Sequence, residues 1–216
     1  MSLANAIRFM LLSVLVLPGQ LLGDSWEVTS PGLNGSDYKF VATLAPPASS
    51  SYVSSKRPQH ATHYKATLWI DPRGIAMPEN GSATRFLLLI DDTEGGADQY
   101  GGTIVVGFLR NVASDHAWHA IFWNLEDAGN YRKAVEISLG SGSQFPMEME
   151  IEFWTGGVGT TTFCARKPGV SGSEVCASDF DMENADVDEM RIGTFGNGNP
   201  AGYTGSFEID EVRTSW

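Results

Sequence analysis

Charged residues, cysteines and long apolar runs are all scarce in this chain of 216 residues, of which only 19% are charged. The apolar run from Phe9 to Leu17 is about half the length that a transmembrane helix needs, so membrane insertion is not expected. Basic residues are also few, since 14 Lys and Arg face 26 Asp and Glu and give a net charge of −12. A surface of this charge repels a phosphate backbone, which excludes nucleic acid as a partner.

The N-terminus has the pattern of a secretory signal peptide. Arg8 supplies a positive charge, the apolar run follows it directly, and Pro18 ends the run. We expect cleavage after Gly23, which leaves residues 24–216 as a single domain. The sequence therefore predicts a soluble protein that is secreted, extracellular or periplasmic.

Helix signals are nearly absent, and alternation of apolar and polar residues dominates after residue 25. Between Met147 and Phe153, apolar residues at odd positions alternate with three glutamates, which is the pattern of a strand with one face in a core. About eleven or twelve strands are predicted in this way. Besides Met147 to Phe153, they are Trp26–Thr29, Tyr38–Leu44, Tyr64–Asp71, Arg85–Asp91, Thr103–Arg110, Trp118–Leu125, Arg132–Leu139, Gly159–Ala165, Glu189–Phe195 and Ser206–Arg213.

Turn residues punctuate these runs, and no alternation of strands with helices is present. Many short strands joined by Gly, Pro and Asn turns predict an all-β, antiparallel two-sheet jelly-roll sandwich. Helical turns are expected at most in Ala48–Ser55 and Asp181–Asp186. The Ser49–Ser51 run, after two prolines, predicts a surface loop.

The two cysteines that follow the signal peptide, Cys164 and Cys176, are predicted to form a disulfide. Export places them in an oxidising compartment, and the segment between them is rich in turn residues. The bridge would then join the two strands of a hairpin. A catalytic or metal-binding cysteine is disfavoured because no CxxC spacing is present.

The last 25 residues carry the most specific pattern. A strand that begins Met190-Arg191-Ile192-Gly193 leads through a Gly/Asn/Pro loop to Tyr203-Thr204-Gly205-Ser206-Phe207-Glu208-Ile209-Asp210-Glu211-Val212-Arg213. This hairpin resembles the C-terminal hairpin of concanavalin A-like, laminin-G-like jelly-roll domains of secreted proteins. The segments Tyr64–Ile70 and Ala117–Trp123 resemble earlier strands of such domains. The resemblance implies the fold, and the same sandwich hosts lectins, adhesive modules, hydrolases and lyases.

The Glu208-Ile209-Asp210 triplet resembles part of the catalytic strand of laminarinase-type hydrolases on this sandwich. Such enzymes need a second glutamate, and the positions where it would stand hold Val212 and Arg213. No catalytic residue is therefore predicted. Asp210 is expected to be a structural partner of Arg213 or of loop backbone amides, and the broken alternation predicts a bulge at Asp210-Glu211.

An acidic run between β-strands offers oxygen ligands of the kind that Ca²⁺ prefers. Rim loops of laminin-G-like sandwiches often bind this ion, and the resemblance implies Asp179, Asp181, Asp186 and Asp188 as candidate ligands. The alternative is a solvated acidic loop, since the spacing does not fit an EF-hand. Calcium is the one cofactor that the sequence suggests. The histidine pairs have i, i+3 spacing, which points their side chains to opposite faces of a strand, so zinc is not expected.

Aromatic residues on the polar face of a strand are candidates for ligand binding. Trp154 shares its strand face with Glu150 and Glu152, and Trp69 lies on the polar side of its own strand. Aromatic rings stack on the apolar face of a sugar while carboxylates accept hydrogen bonds from its hydroxyls. These four residues are the predicted ligand-binding set, although each tryptophan could equally be a packed rim residue.

The sequence favours a secreted, non-catalytic protein that binds a glycan or an extracellular protein. Two alternatives stay open. One is a polysaccharide-active enzyme, a glycoside hydrolase or lyase, on the same sandwich. The other is a structural or adhesive extracellular domain.

Overall fold

The computed structural model describes residues 25–45, 50–76, 83–91, 102–112, 117–126, 130–155, 161–180, 187–195 and 204–215. Within these ranges, only the backbone is described at 57–61, 124–126, 130–133 and 179–180. The predicted signal peptide, residues 1–23, lies outside the described residues. No helix in the described ranges is long and apolar enough to cross a membrane.

Nearly all of the described chain is strand. The strands are β1 (Ser25–Thr29), β2 (Lys39–Leu44), β3 (Ser51–Ala61), β4 (His63–Asp71), β5 (Ile75–Ala76), β6 (Ala83–Ile90), β7 (Thr103–Val112), β8 (Ala117–Glu126), β9 (Asn130–Gly140), β10 (Met147–Thr155), β11 (Thr161–Arg166), β12 (Val175–Phe180), β13 (Val187–Thr194) and β14 (Thr204–Ser215). Two single turns of 3₁₀ helix occur at Leu33–Gly35 and Gly142–Gln144.

The strands form two antiparallel sheets. The eight-stranded sheet has the order β1-β2-β14-β4-β10-β11-β12, with β5 paired to β14, and the six-stranded sheet has the order β3-β13-β6-β7-β8-β9. Consecutive strands pair as hairpins in β6 to β9 and in β10 to β12, while β13 and β14 insert between strands from distant parts of the sequence. The predicted fold class, an all-β jelly-roll sandwich of two antiparallel sheets, is confirmed.

The core lies between the inner faces of the two sheets. The ring of Phe122 in β8 packs 6.0 Å from Phe86 of the same sheet and 5.1 Å from Phe163 of the other, measured between centroids. Gly107 makes this packing possible, because a Cβ there would lie 2.9 Å from the Phe86 ring. The Tyr64 hydroxyl also crosses the core and donates a hydrogen bond to Met190 Sδ, 3.3 Å away.

The period-2 reading of β10 is correct. Met149, Ile151 and Phe153 point into the core and are at most 1% exposed, whereas Glu152 and Trp154 lie on the outer face and are half-buried. Because the three apolar residues alternate with polar ones, their burial followed directly from the sequence pattern.

The prediction of a loop or helical turn across Ala48–Ser55 is wrong from Ser51 onward, where β3 begins; residues 46–49 lie outside the described part of the chain. The core-facing positions of β3 are Ser51, Val53 and Ser55, while Tyr52 and Ser54 face outward. Two serines among three inward positions conceal the apolar alternation. Such weak patterning is tolerated because β3 is an edge strand that pairs only with β13.

The predicted disulfide is present between Cys164 and Cys176. The two residues lie opposite each other in the register of β11 and β12, so the bridge joins the strands of a hairpin, as expected. Ser173 closes the hairpin loop, because its hydroxyl donates to the Lys167 carbonyl at 2.9 Å and accepts from the Lys167 N–H at 3.0 Å.

Candidate functional site

The candidate site is the outer face of strands β6 to β9 in the six-stranded sheet, which we call the β6–β9 face. A bulge in β6, between Arg85 and Leu87, decides which side chains of this strand lie on that face. Because a bulge changes the alternation of side chains, both Phe86 and Leu87 point into the core while Arg85 stays on the outer face. The main residues of this face are Arg85, Phe108, Arg110, His119, Trp123 and Glu136.

Two aromatic rings lie at the centre of the β6–β9 face. The Phe108 and Trp123 ring centroids are 5.4 Å apart with the planes tilted by 54°, and Trp123 is 41% exposed. The Arg85 guanidinium lies over the Phe108 ring, 5.8 Å from its centroid. A large aromatic side chain exposed on a sheet face, with a cation beside it, offers both stacking and polar contacts to a ligand.

A row of polar residues borders these rings. Arg110 lies opposite His119 in the register of β7 and β8, and His119 lies opposite Ser138 of β9. The Nδ1 atom of His119 is 2.7 Å from Glu136 Oε1. A carboxylate in this position can orient the imidazole.

Strands β3 and β13 extend the outer face. Arg191 contacts Glu189 through two hydrogen bonds, at 2.9 and 3.0 Å, and its guanidinium lies 4.9 Å from the centre of the Tyr52 ring. Burial of the Glu189 carboxyl raises its pKa, but the hydrogen bonds and charge of Arg191, with the Ser54 hydroxyl and the charge of Lys56, outweigh burial, so the pKa lies below its ordinary value. The same pairing raises the pKa of Arg191. This ion pair is therefore fully charged at neutral pH.

The predicted ligand set lies on the opposite side of the molecule, on the outer face of the eight-stranded sheet. Trp154 is half-buried and meets the His63 ring edge-on, with centroids 6.5 Å apart. Glu152 Oε1 lies 2.8 Å from His63 Nε2. The structure thus brings Trp154, Glu152 and His63 together, and their role in binding stays a prediction.

The other two members of that set are less available to a ligand. The Glu150 carboxylate is paired with Lys65, at 2.8 Å, and with Arg166. Trp69 is half-buried and lies opposite Glu148 of β10 and Asp210 of β14 in the sheet register. A sugar hydroxyl would have to compete with two cations for Glu150, which disfavours this carboxylate as a ligand contact.

Only part of the predicted calcium set can be located. Asp181 and Asp186 lie outside the described residues, and Asp179 falls in β12 where only the backbone is described. Asp188 lies in β13 and is 7% exposed, so it belongs to a strand and not to a rim loop as expected. Among the described residues no group of three or more His, Cys, Asp or Glu could hold a metal ion. Calcium binding stays a prediction.

The Glu208-Ile209-Asp210 triplet has a structural role in β14. Glu208 pairs with Lys39 at 2.8 Å, and Asp210 accepts a hydrogen bond from the Leu33 N–H at 2.7 Å. Asp210 therefore binds a loop backbone amide, which was one of its two expected partners. Arg213, the other, pairs instead with Glu211, at 2.7 Å. The expected bulge occurs between Asp210 and Arg213.

Sequence reasoning missed the β6–β9 face although it predicted all four strands. In β8, Trp118 and Phe122 alternate with Ile121 and Trp123, so both faces of the strand are apolar. The alternation then divides the side chains into two sets but does not indicate which set faces the core. The available signal was the outward set of the neighbouring strand, where Phe108 is followed two positions later by Arg110.

The two sheets and their strand order define an antiparallel two-sheet jelly-roll sandwich. Solved structures with this architecture include an endo-β-1,4-glucuronan lyase from the fungus Trichoderma reesei, with a TM-score of 0.58, 12% identity, and coverage of 89% of this chain and 87% of that one. The alginate lyase from Klebsiella pneumoniae aligns with a TM-score of 0.41 and 9% identity over 71% of this chain and 59% of that one. At these identities the similarity concerns the fold alone.

No protein family model matches the sequence. No curated protein matches it either.

Proposed function

We propose that this protein binds a carbohydrate on the β6–β9 face, with Phe108 and Trp123 as the stacking platform. The exposed Trp123 ring, 5.4 Å from Phe108 between centroids, is the observation that carries the proposal. Pyranose rings stack on aromatic faces through their C–H groups, and nearby polar side chains hydrogen-bond the hydroxyls. Arg110, His119 and Glu136 supply such groups at the border of the platform.

The fold supports a carbohydrate as the ligand class. The fungal protein of the same architecture is a lyase of β-1,4-glucuronan, which is a polysaccharide, and its structure covers 89% of this chain. We further propose that the protein acts in an oxidising, extracytoplasmic compartment, because the Cys164–Cys176 disulfide forms and persists there.

The alternative location is the predicted set on the eight-stranded sheet, around Trp154. It is less favourable because Glu150 and Glu152 are already paired with Lys65, Arg166 and His63. Each of these contacts would have to weaken before a carboxylate could accept a sugar hydroxyl.

A glycan array on the mature protein, run with and without calcium, tests the proposal. The best ligand is then measured by calorimetry against Trp123→Ala and the matched variant Trp154→Ala, which removes an outer-face tryptophan from the other sheet. Trp123→Ala should weaken binding by roughly 10- to 100-fold, the loss typical of an aromatic anchor, and Trp154→Ala should not. The reverse pattern would move the site to the eight-stranded sheet, and an array without any bound glycan would leave the structural or adhesive role.

A second candidate function is cleavage of the bound polysaccharide. The observation that favours it is the 2.7 Å contact of His119 Nδ1 with Glu136 Oε1 at the border of the platform, since a carboxylate-held imidazole is a competent general base. The check is whether the wild type releases reducing ends or unsaturated products from the bound polymer. If it does, His119→Gln should abolish release while binding persists; a wild type that leaves the polymer intact is a binding protein.

A further inference from the structure

We infer that the ligand of the β6–β9 face is an acidic saccharide, whose carboxylates pair with Arg85 and Arg110. This inference rests on the proposed function and names its substrate class. The inference distinguishes a polymer of uronic acids from a neutral glycan of the same shape as the expected ligand.

The two sheets differ in their charge. Among the strand side chains that the structure describes, the six-stranded sheet has four cations and three carboxylates, and the eight-stranded sheet has four cations and eight carboxylates. In the six-stranded sheet they are Lys56, Arg85, Arg110 and Arg191 against Glu136, Asp188 and Glu189. In the eight-stranded sheet they are Lys39, Lys65, Arg166 and Arg213 against Glu27, Asp71, Glu148, Glu150, Glu152, Glu208, Asp210 and Glu211. Among these described side chains, the six-stranded sheet is therefore much less acidic than the eight-stranded sheet.

Arg85 and Arg110 differ from the other arginines of the described strands in their partners. Arg166, Arg191 and Arg213 each contact a carboxylate. The Nε atoms of Arg85 and Arg110 are buried and have no hydrogen-bond partner in the described part of the chain. Neither guanidinium pairs with a carboxylate in the described part of the chain, so the carboxylate of a ligand would supply a charged partner at the terminal nitrogens.

The two arginines are placed to act on one ligand together with the aromatic platform. Arg85 lies opposite Phe108, and Arg110 follows Phe108 by two positions on the same outer face. The two arginines are therefore diagonal neighbours, a relationship in which the Cα atoms of an antiparallel pair are about 7–8 Å apart. A saccharide stacked on Trp123 and Phe108 would therefore lie beside both guanidinium groups. The planar guanidinium matches the geometry of a carboxylate, which favours uronic acids over neutral sugars.

Two oligosaccharides of equal length separate the possibilities, one of β-1,4-linked glucuronic acid and one of β-1,4-linked glucose. They share ring stereochemistry and linkage and differ only in whether C6 is a carboxylate or a hydroxymethyl group. Calorimetry at low salt should give at least about tenfold tighter binding of the acidic oligosaccharide, and the advantage should shrink as salt screens the charges. A sulfated glucose oligosaccharide forms a third arm. Its binding more tightly than the glucuronic acid arm would overturn the carboxylate assignment.

Arg85→Gln and Arg110→Gln should each weaken binding of the acidic oligosaccharide about tenfold and weaken binding of the neutral one much less, because glutamine can still donate to a hydroxyl. The matched control is Arg213→Gln, which lies on the other sheet and should change neither. Circular dichroism and melting curves check that each variant folds. Equal binding of the neutral and acidic oligosaccharides overturns this inference alone, whereas binding of neither, together with an empty glycan array, overturns the proposed function as well.

Discussion

The carboxylate of Asp210 accepts a hydrogen bond from the backbone N–H of Leu33, 2.7 Å away and 177 positions earlier in the chain. The same carboxylate contacts the Ser36 hydroxyl and accepts from the Glu211 N–H at 2.7 Å. Asp210 thus attaches the 3₁₀ turn at Leu33–Gly35 to the last strand. Asp210 directly precedes the bulge in β14, in which Glu211 takes a positive φ of 47°.

Replacing Asp210 by alanine should lower the free energy of unfolding by about 2–3 kcal/mol, because the buried Leu33 N–H loses its acceptor. Chemical denaturation measures the change. The control is Glu208→Gln on the same strand, which breaks only the partly exposed contact with Lys39 and should cost under about 1 kcal/mol. Equal losses in the two variants would contradict the structural role assigned to Asp210.

Neighbouring residues in β10 should respond to mutation in opposite ways. Phe153→Ala opens a core cavity and should cost roughly 3–5 kcal/mol of stability. Trp154→Ala removes a half-buried ring from the outer face and should cost much less. Urea unfolding of both variants provides the comparison, and a larger loss for Trp154→Ala would mean that the strand register is wrong by one residue.

Removal of the disulfide should destabilise the protein without changing its fold. Cys164 and Cys176 are 12 positions apart, and closing a loop of this size stabilises the native state by about 3 kcal/mol through the unfolded chain. The double Ser variant should therefore unfold at lower denaturant concentration and keep the circular dichroism spectrum of the wild type. A thiol assay on the unreduced, unfolded wild type should find no reactive group, and two reactive groups would contradict the bridge.

The Glu189–Arg191 pair should make stability depend on pH. Because Arg191 holds the pKa of Glu189 below its ordinary value in the native state, the pair stabilises the protein above the unfolded pKa of about 4.3. This contribution is lost as the pH falls through the lower, native pKa. Melting curves between pH 7 and pH 3 should follow this loss.

Arg191→Met should cost about 3 kcal/mol at pH 7, since the carboxylate of Glu189 then stays buried without its main partner. The deficit should shrink below about pH 4, where protonation removes the buried charge. Arg213→Met, which breaks the exposed contact with Glu211, is the matched control and should show a small effect at every pH. A deficit for Arg191→Met that is the same at pH 7 and pH 3 would show that lost packing, not charge, is responsible.

Calcium should raise the melting midpoint if the acidic run binds it. A ligand that binds only the native state stabilises it by about 2.7 kcal/mol at one hundred times its dissociation constant. Millimolar Ca²⁺ should act and Mg²⁺ should not, because Ca²⁺ accepts more oxygen ligands in less regular geometry than Mg²⁺ does. The Asp181→Asn/Asp186→Asn variant should lose the effect, and Glu174→Gln, an exposed carboxylate of the disulfide hairpin, should keep it. Identical midpoints in calcium and in chelator would rule out the predicted site.

Sequence patterning was sufficient where a strand has one apolar and one polar face. The β10 strand shows this, because the burial of Phe153 and the outward orientation of Glu152 follow from alternation alone. Patterning failed at β3, whose inward positions hold Ser51 and Ser55, and at the positions of β6 where a bulge places Phe86 and Leu87 on the same side. Local pattern does not identify the pairing partner of an edge strand, and it reveals a bulge only where the alternation itself slips, as it does in β14.

The amino-acid sequence by itself determined the all-β class, the hairpin disulfide and the bulge in β14, since each depends on a pattern within one segment or on turn chemistry. It also indicated a structural role for Asp210, but the tertiary structure decided that its partner is the Leu33 N–H, 177 positions earlier. The tertiary structure decided which face of β8 is buried and thereby exposed Trp123 beside Phe108. It also decided that Arg85 and Arg110 share this face, while the arginines of the eight-stranded sheet lie among carboxylates. The physical reason is that charge and stacking act between strands, and the order of strands in a jelly roll is set by the packing of the whole core.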